Sequence, residues 1–185
     1  MIYNSVAEIY EANDSARARL FESVEGLDDG QQSFRPEPGL WSVAEILEHL
    51  SLVEAQLVRL FQVVLRKAEA AGGAGRAVDA PFAPITLREV AERAATEKYK
   101  APETAVPTGG VTLTDSIARL NQTRDALNEL RPLIERLDCT QMLYPHPAFG
   151  PLNLYQWLAF MGLHQSRHRR QIEALRETMN AAPTD

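Results

Sequence analysis

Two histidines one helical turn apart, His164 and His168, stand in the proline-free run from Leu154 to Leu175. Trp157, Phe160, Met161 and Leu175 recur with them at helical spacing, so these side chains share one face. Side chains at i and i+4 are neighbours, and two such imidazoles can reach one cation. The pair alone is more often a set of half-buried histidines hydrogen-bonded to other helices, since histidines at this spacing also arise by accident. A third imidazole, His49, sits in the second turn of Trp41-Ser-Val-Ala-Glu-Ile-Leu-Glu-His-Leu50. If the helices alternate up and down, the second and fourth run parallel. His49 and His164 then lie roughly 9 and 16 Å along them at 1.5 Å per residue, close enough to converge. Three neutral imidazoles with one open position is the layout of a catalytic metal site. The zinc-peptidase pattern needs glutamate directly after the first histidine. Gln165 stands there, which excludes that chemistry. An oxygenase triad needs a carboxylate, and the convenient one, Glu45, is accounted for by helix capping.

Four further residues are candidates for the pocket. Gln171, three beyond His168 and seven beyond His164, shares their face and can accept the free ring N–H of a ligating histidine. Asn13, a polar residue on the apolar stripe of the first helix, is the other candidate for that bond. Main-chain carbonyls are not expected to make it, since those inside helices are already paired. His146, between Pro145 and Pro147, is either a substrate contact at the site mouth or an exposed turn residue. Arg124 falls near the apolar stripe of the third long helix, where a snorkelling side chain is the alternative reading.

The elements that must position these residues are helical. The first helix is expected from about Val6 to Val24. Gly26, Gly30, Pro36, Pro38 and Gly39 then exclude helix until Leu40. Ser42 and Glu45 form a capping box for the second helix, which reaches about Ala70 and is ended by Gly72, Gly73 and Gly75. A long connection, 71–111, holds a short helix from a second capping box, Thr86 with Glu89, to about Tyr99. Thr114 is expected to cap the third long helix, which Pro132 kinks or divides. Asn153 and Gln156 form a reciprocal cap for the last. No strand pattern exceeds a few residues. The fold class is therefore all-α: one domain, 1–185, built as a four-helix up-and-down bundle whose long connection carries a short extra helix.

Composition bounds the function. The chain has 185 residues, net charge -6, 45% hydrophobic residues and one cysteine, Cys139. The negative charge disfavours nucleic acid as a partner, and a lone cysteine excludes an internal disulfide or thiolate cage. There is no basic leader and no apolar run of the roughly 18 residues a membrane span needs, so a cytoplasmic protein without a membrane partner is expected.

Together, Trp41–His49, the third helix bearing Arg124, the turn His146-Pro-Ala-Phe-Gly150, and His164-x-x-x-His168 followed by Arg170-Gln171-Ile172 resemble the DinB/YfiT superfamily over about Val6 to Met179. The resemblance implies a bundle in which His49, His164 and His168 bind a divalent metal, commonly zinc or nickel. It further implies relatives that are transferases or isomerases dependent on a low-molecular-weight thiol, often homodimeric. The function expected on this basis is metal-dependent attack by a thiol or water on a small electrophilic substrate, with thiol S-transfer ahead of hydrolysis. No side chain is assigned as the catalytic group. The other class is a non-catalytic metal-binding dimeric bundle with a stress-related or binding role.

Overall fold

The computed structural model describes residues 1–70, 72, 82–97 and 99–181. Four long helices dominate: α1 (Val6–Glu22), α3 (Val43–Ala70), α5 (Leu113–Arg136) and α6 (Leu154–Ala181). Between them lie β1 (Ile2–Tyr3), α2 (Asp29–Ser33), β2 (Ile85–Thr86), α4 (Arg88–Thr96), a 3-10 turn at Glu103–Ala105, and the strands β3 (Leu143–His146) and β4 (Gly150–Asn153). β1 pairs with β2, and β3 with β4, both antiparallel. No helix of the described residues is long and apolar enough to cross a membrane.

Local chemistry sets the helix starts. Ser42 and Glu45 exchange side-chain and backbone bonds at 3.3 and 2.8 Å, and Asn153 and Gln156 do so at 2.9 and 3.0 Å. Three expectations are corrected. α2 forms inside the stretch read as non-helical, because Asp28 and Gln31 make a capping box that offsets the cost of Gly30. α5 is capped by Thr112, whose hydroxyl accepts from the Asp115 N–H, not by Thr114. The Thr86–Glu89 box does not form: Thr86 is paired in β2, and α4 begins after Leu87 without a side-chain cap. α5 also runs on through Pro132. Gly72 takes the left-handed conformation at the end of α3, while Gly73 and Gly75 lie outside the described residues.

The helix directions depart from alternation. Asn13 bonds the Leu158 carbonyl and Ser23 is reached by Arg176, so α1 and α6 run the same way. Glu54 meets Thr123 and Glu69 meets Arg136, so α3 and α5 also run together. Tyr10 with Leu127 and Arg17 with Leu120 set α1 against α5. Hence α3 and α6, expected to be parallel, are antiparallel. The long connection explains this: it carries the chain back along a 28-residue helix, roughly 42 Å, before α5 begins.

The core has two apolar clusters. One contains Tyr10, Phe61, Leu127 and Tyr155; the other contains Leu20, Leu47, Leu120 and Ile172. A polar layer lies between them in sequence register on every helix. Glu54 of α3 accepts from Arg17 of α1, from Thr123 of α5 at 3.1 Å and from Gln165 of α6, while Arg17 also donates to the Leu120 carbonyl. Glu54 is 1% exposed, Gln165 2%, Arg17 8% and Thr123 9%. Removing one partner of such a network strands a buried charge. Glu54→Ala is therefore expected to lower the unfolding free energy by about 3–5 kcal/mol in a urea titration; a loss below about 1 kcal/mol, the size of an exposed pair, would show the network is not a buried one.

Candidate metal centre

The three histidines meet where α3 and α6 cross. His49 Nε2 lies 3.4 Å from His164 Nε2, and His168 Nε2 lies 3.0 Å from it. The ligand atoms of all three fall within 4.8 Å of one another. Alternating helices would bring these residues together on a parallel pair. The convergence comes instead from antiparallel ones, with the second turn of α3 opposite the middle of α6.

The outer nitrogens decide what the inner ones can do. His49 Nδ1 is 2.7 Å from the Ala105 carbonyl, and His168 Nδ1 is 2.7 Å from Gln171 Oε1. Both partners are acceptors, so the ring proton sits on Nδ1 in each and leaves an Nε2 lone pair facing inward. A proton on His164 Nε2 can serve one of these neighbours, not both. A cation serves all three. For Zn–N bonds of 2.0–2.1 Å, tetrahedral nitrogens stand about 3.3 Å apart, close to the 3.0 and 3.4 Å observed. The donor set thus fits a divalent metal.

Burial holds the ligands neutral. It is the main cause that lowers the pKa of His49, of His164 and of His168, the last to about 3; the neighbouring imidazoles and Arg167 add to the lowering of His164 and His168. Trp41 packs 4.8 Å from His49, and Phe160 stacks on His164 at 5.5 Å.

The other expected site residues separate. Gln171 stands on His168, as described. Asn13 is placed elsewhere: its amide donates to Leu158 O at 2.9 Å, and it packs on Gly162, where an added Cβ would come within 2.4 Å of Asn13 Oδ1. Arg124 is likewise not brought to the histidines. It pairs with Asp14 and lies 4.9 Å over the Tyr10 ring, on the α1–α5 side. His146 is not an exposed turn residue. Its ring packs against Phe149, Trp157 and Phe160 at 4.5, 5.0 and 4.8 Å, and it lines the same cavity as the triad.

Two features escaped the sequence reading. The partner of His49 is a main-chain carbonyl, free because Ala105 ends its 3-10 turn; the expectation that no carbonyl was available considered only helices. Glu48, beside His49 and buried, then holds this connection by accepting from the Thr108 N–H and hydroxyl and the Gly109 N–H at 2.9, 2.7 and 3.0 Å. A backbone role leaves no residue-type signal, although a buried Glu48 next to a ligand is a visible clue.

The imidazoles line a cavity of about 1020 Å³ between α3, α6, the 99–106 segment and the β3–β4 hairpin. Its walls include Trp41, Tyr99, Phe149, Trp157 and Phe160.

Comparison with known proteins bears on the family and on the fold. The family model described as the DinB superfamily matches residues 12–172. The chain is similar to the uncharacterized protein YuaE of Bacillus subtilis (strain 168), with 27% identity over 172 residues, 91% of this chain and 98% of that one. Among solved structures it resembles TT2238, a four-helix bundle protein, with TM-score 0.57 and 18% identity over 90% of this chain and 96% of the other. It also resembles YfiT from Bacillus subtilis, described as a probable metal-dependent hydrolase with an unusual four-helix bundle topology. That match has TM-score 0.55 and 16% identity over 95% of this chain and 88% of the other.

Two outcomes are expected. Gln171→Leu removes the acceptor that orients His168, so metal affinity should fall roughly 10–100-fold in a chelator-competition titration while the circular dichroism spectrum is retained; parental affinity would show that the amide orients nothing. Burial lowers the pKa of His146 from 6.5 to about 4. Between those values the unfolded chain binds a proton that the folded chain does not, so stability falls as pH drops through that range. His146→Asn should therefore lose less stability than the parent between pH 7 and pH 5 in urea unfolding of the metal-free protein, and equal losses would contradict the assignment.

Proposed function

The chain belongs to the DinB superfamily, and from that premise we propose that it is a divalent-metal-dependent enzyme in which a thiol or water attacks a small electrophilic substrate. The observation that carries the reading is the set of three Nε2 lone pairs converging at a cavity wall, with no fourth His, Cys, Asp or Glu joining them among the described residues. A structural site would fill all four positions from the protein; this one leaves a position toward the cavity, which favours an enzyme over a non-catalytic metal-binding bundle. When bound, the metal lowers the pKa of the water or thiol beside it and supplies a nucleophile at neutral pH. Zinc and nickel both suit an imidazole set.

The chain's own residues do the rest. The Ala105 carbonyl and Gln171 fix the tautomers of His49 and His168. Trp41 packs on the His49 ring and Phe160 stacks on that of His164, which holds the ring planes. His146 contributes a donor: its Nδ1 accepts the Ala148 and Phe149 N–H groups at 3.0 and 3.3 Å, so its own proton sits on Nε2. Thiol S-transfer and hydrolysis differ in product. YfiT is described as a probable metal-dependent hydrolase, and the thiol-dependent relatives implied by the sequence resemblance supply the other reading.

Elemental analysis should find about one divalent metal per chain, and His168→Ala should abolish it. Undiminished metal in that variant would refute the site. Incubating the metal-loaded protein with a low-molecular-weight thiol and a chlorinated aromatic acceptor should yield a thioether if the reaction is S-transfer, whereas a hydrolase forms none.

A further inference from the structure

The charge of the cavity runs against the charge of the chain. Of 25 acidic residues in a protein of net charge -6, none lines the cavity among the described residues. Two cations do, Arg167 and Lys100. Arg167 lies on α6 between the two histidine ligands, and among the described residues its hydrogen-bond partners are neutral: the main-chain carbonyls of Ala94 and of Glu97, the latter at 2.9 Å. The Glu97 carboxylate is engaged by Arg93 and Tyr99 instead. A guanidinium has five N–H donors, so two carbonyl bonds leave it both charge and donors to spare. Lys100 is exposed at the mouth of the cavity.

Around these cations the walls are aromatic, with Tyr99 and Phe149 in edge contact at 5.1 Å and Trp157 and Phe160 at 5.7 Å. Flat apolar walls select a planar apolar body, and a guanidinium facing a carboxylate makes paired charge-assisted bonds. A neutral isostere keeps the first contribution and loses the second.

Resting on the reading of this cavity as the enzyme's substrate site, we infer that the molecule it takes is a small aromatic acid, its ring between the aromatic walls and its carboxylate on Arg167, with Lys100 as a second, weaker attraction. The electrophilic centre of such a substrate then lies within the body of the molecule, held between Arg167 and the three imidazoles.

The chain carries its own reporter, because its two tryptophans, Trp41 and Trp157, both line the cavity. The test is titration of intrinsic fluorescence with 2-naphthoate and with its neutral isostere 2-naphthamide. Both metal-loaded protein and protein stripped by a chelator and then dialysed are used, so that a carboxylate held by the metal is distinguished from one held by Arg167. The acid should bind about ten-fold tighter than the amide in both forms. Arg167→Gln should abolish that preference in the stripped form while leaving the affinity for the amide, and Arg167→Lys should restore part of it. Equal affinity of the parent for the two probes overturns the inference even if Arg167→Gln fails to fold. A preference seen only in the metal-loaded form overturns it while supporting the metal site. A preference in stripped protein that depends on Arg167 supports it even if no metal is found.

Discussion

A carboxylate placed among apolar helices must be paired from several sides, because its charge has lost the water that would otherwise solvate it. Glu54 is paired from all three other long helices, through Arg17, Thr123 and Gln165. Such a network adds little net stability over a well-packed apolar layer, but any other rotation of the helices would leave a buried charge unmatched. It therefore sets register. Gln165 and His164 are consecutive, and His168 follows three residues later, so turning α6 to bring Gln165 to Glu54 also sets the direction of both imidazoles. On α3, His49 lies five residues before Glu54 and is placed by the same constraint.

The long connection between α3 and α5 has two consequences from one cause. Parallel neighbouring helices need a return path as long as the helix, and that path crosses the end of the bundle where His49 begins. The returning chain is tied to α3 by Glu48 and by Gln56, which donates to the Thr104 carbonyl at 2.8 Å. Tied there, it places the Ala105 carbonyl on His49 and Tyr99 and Lys100 at the cavity. Topology and ligand chemistry are thus coupled: a tight turn would have given an antiparallel pair and left His49 Nδ1 without that partner.

The site's electrostatics follow from its enclosure. Burial disfavours the charged form of each histidine, which keeps their lone pairs available. The same low polarity strengthens any charge-assisted bond made inside, and the cations that line the cavity, Arg167 and Lys100, have no acidic residue beside them in its lining among the described residues. The aromatic residues of the hairpin and of α6 serve both ends of this arrangement, packing the imidazoles on one side and facing the cavity on the other.

What the sequence by itself determined is what local spacing encodes. Histidines four apart share a helix face, Ser42 with Glu45 and Asn153 with Gln156 start helices, apolar stripes on four segments make a bundle, and Gln171 falls beside His168. Even the misplaced details stay local: Thr114 for Thr112 is a cap shifted by two residues, and the five-residue helix missed at Asp29 rests on a capping box within its own sequence. The tertiary structure alone decided the rest. Helix direction depends on where a long connection leads the chain, and no periodicity records that. The partner of His49 is a backbone carbonyl distant in sequence, and backbone atoms are the same in every residue. Asn13 and Arg124 share a face with the bundle core but go to other neighbours, because a stripe specifies that a residue points inward and not toward what. Arg17, Glu54 and Gln165 look like ordinary polar residues until three helices meet and the charge they bury has to be answered.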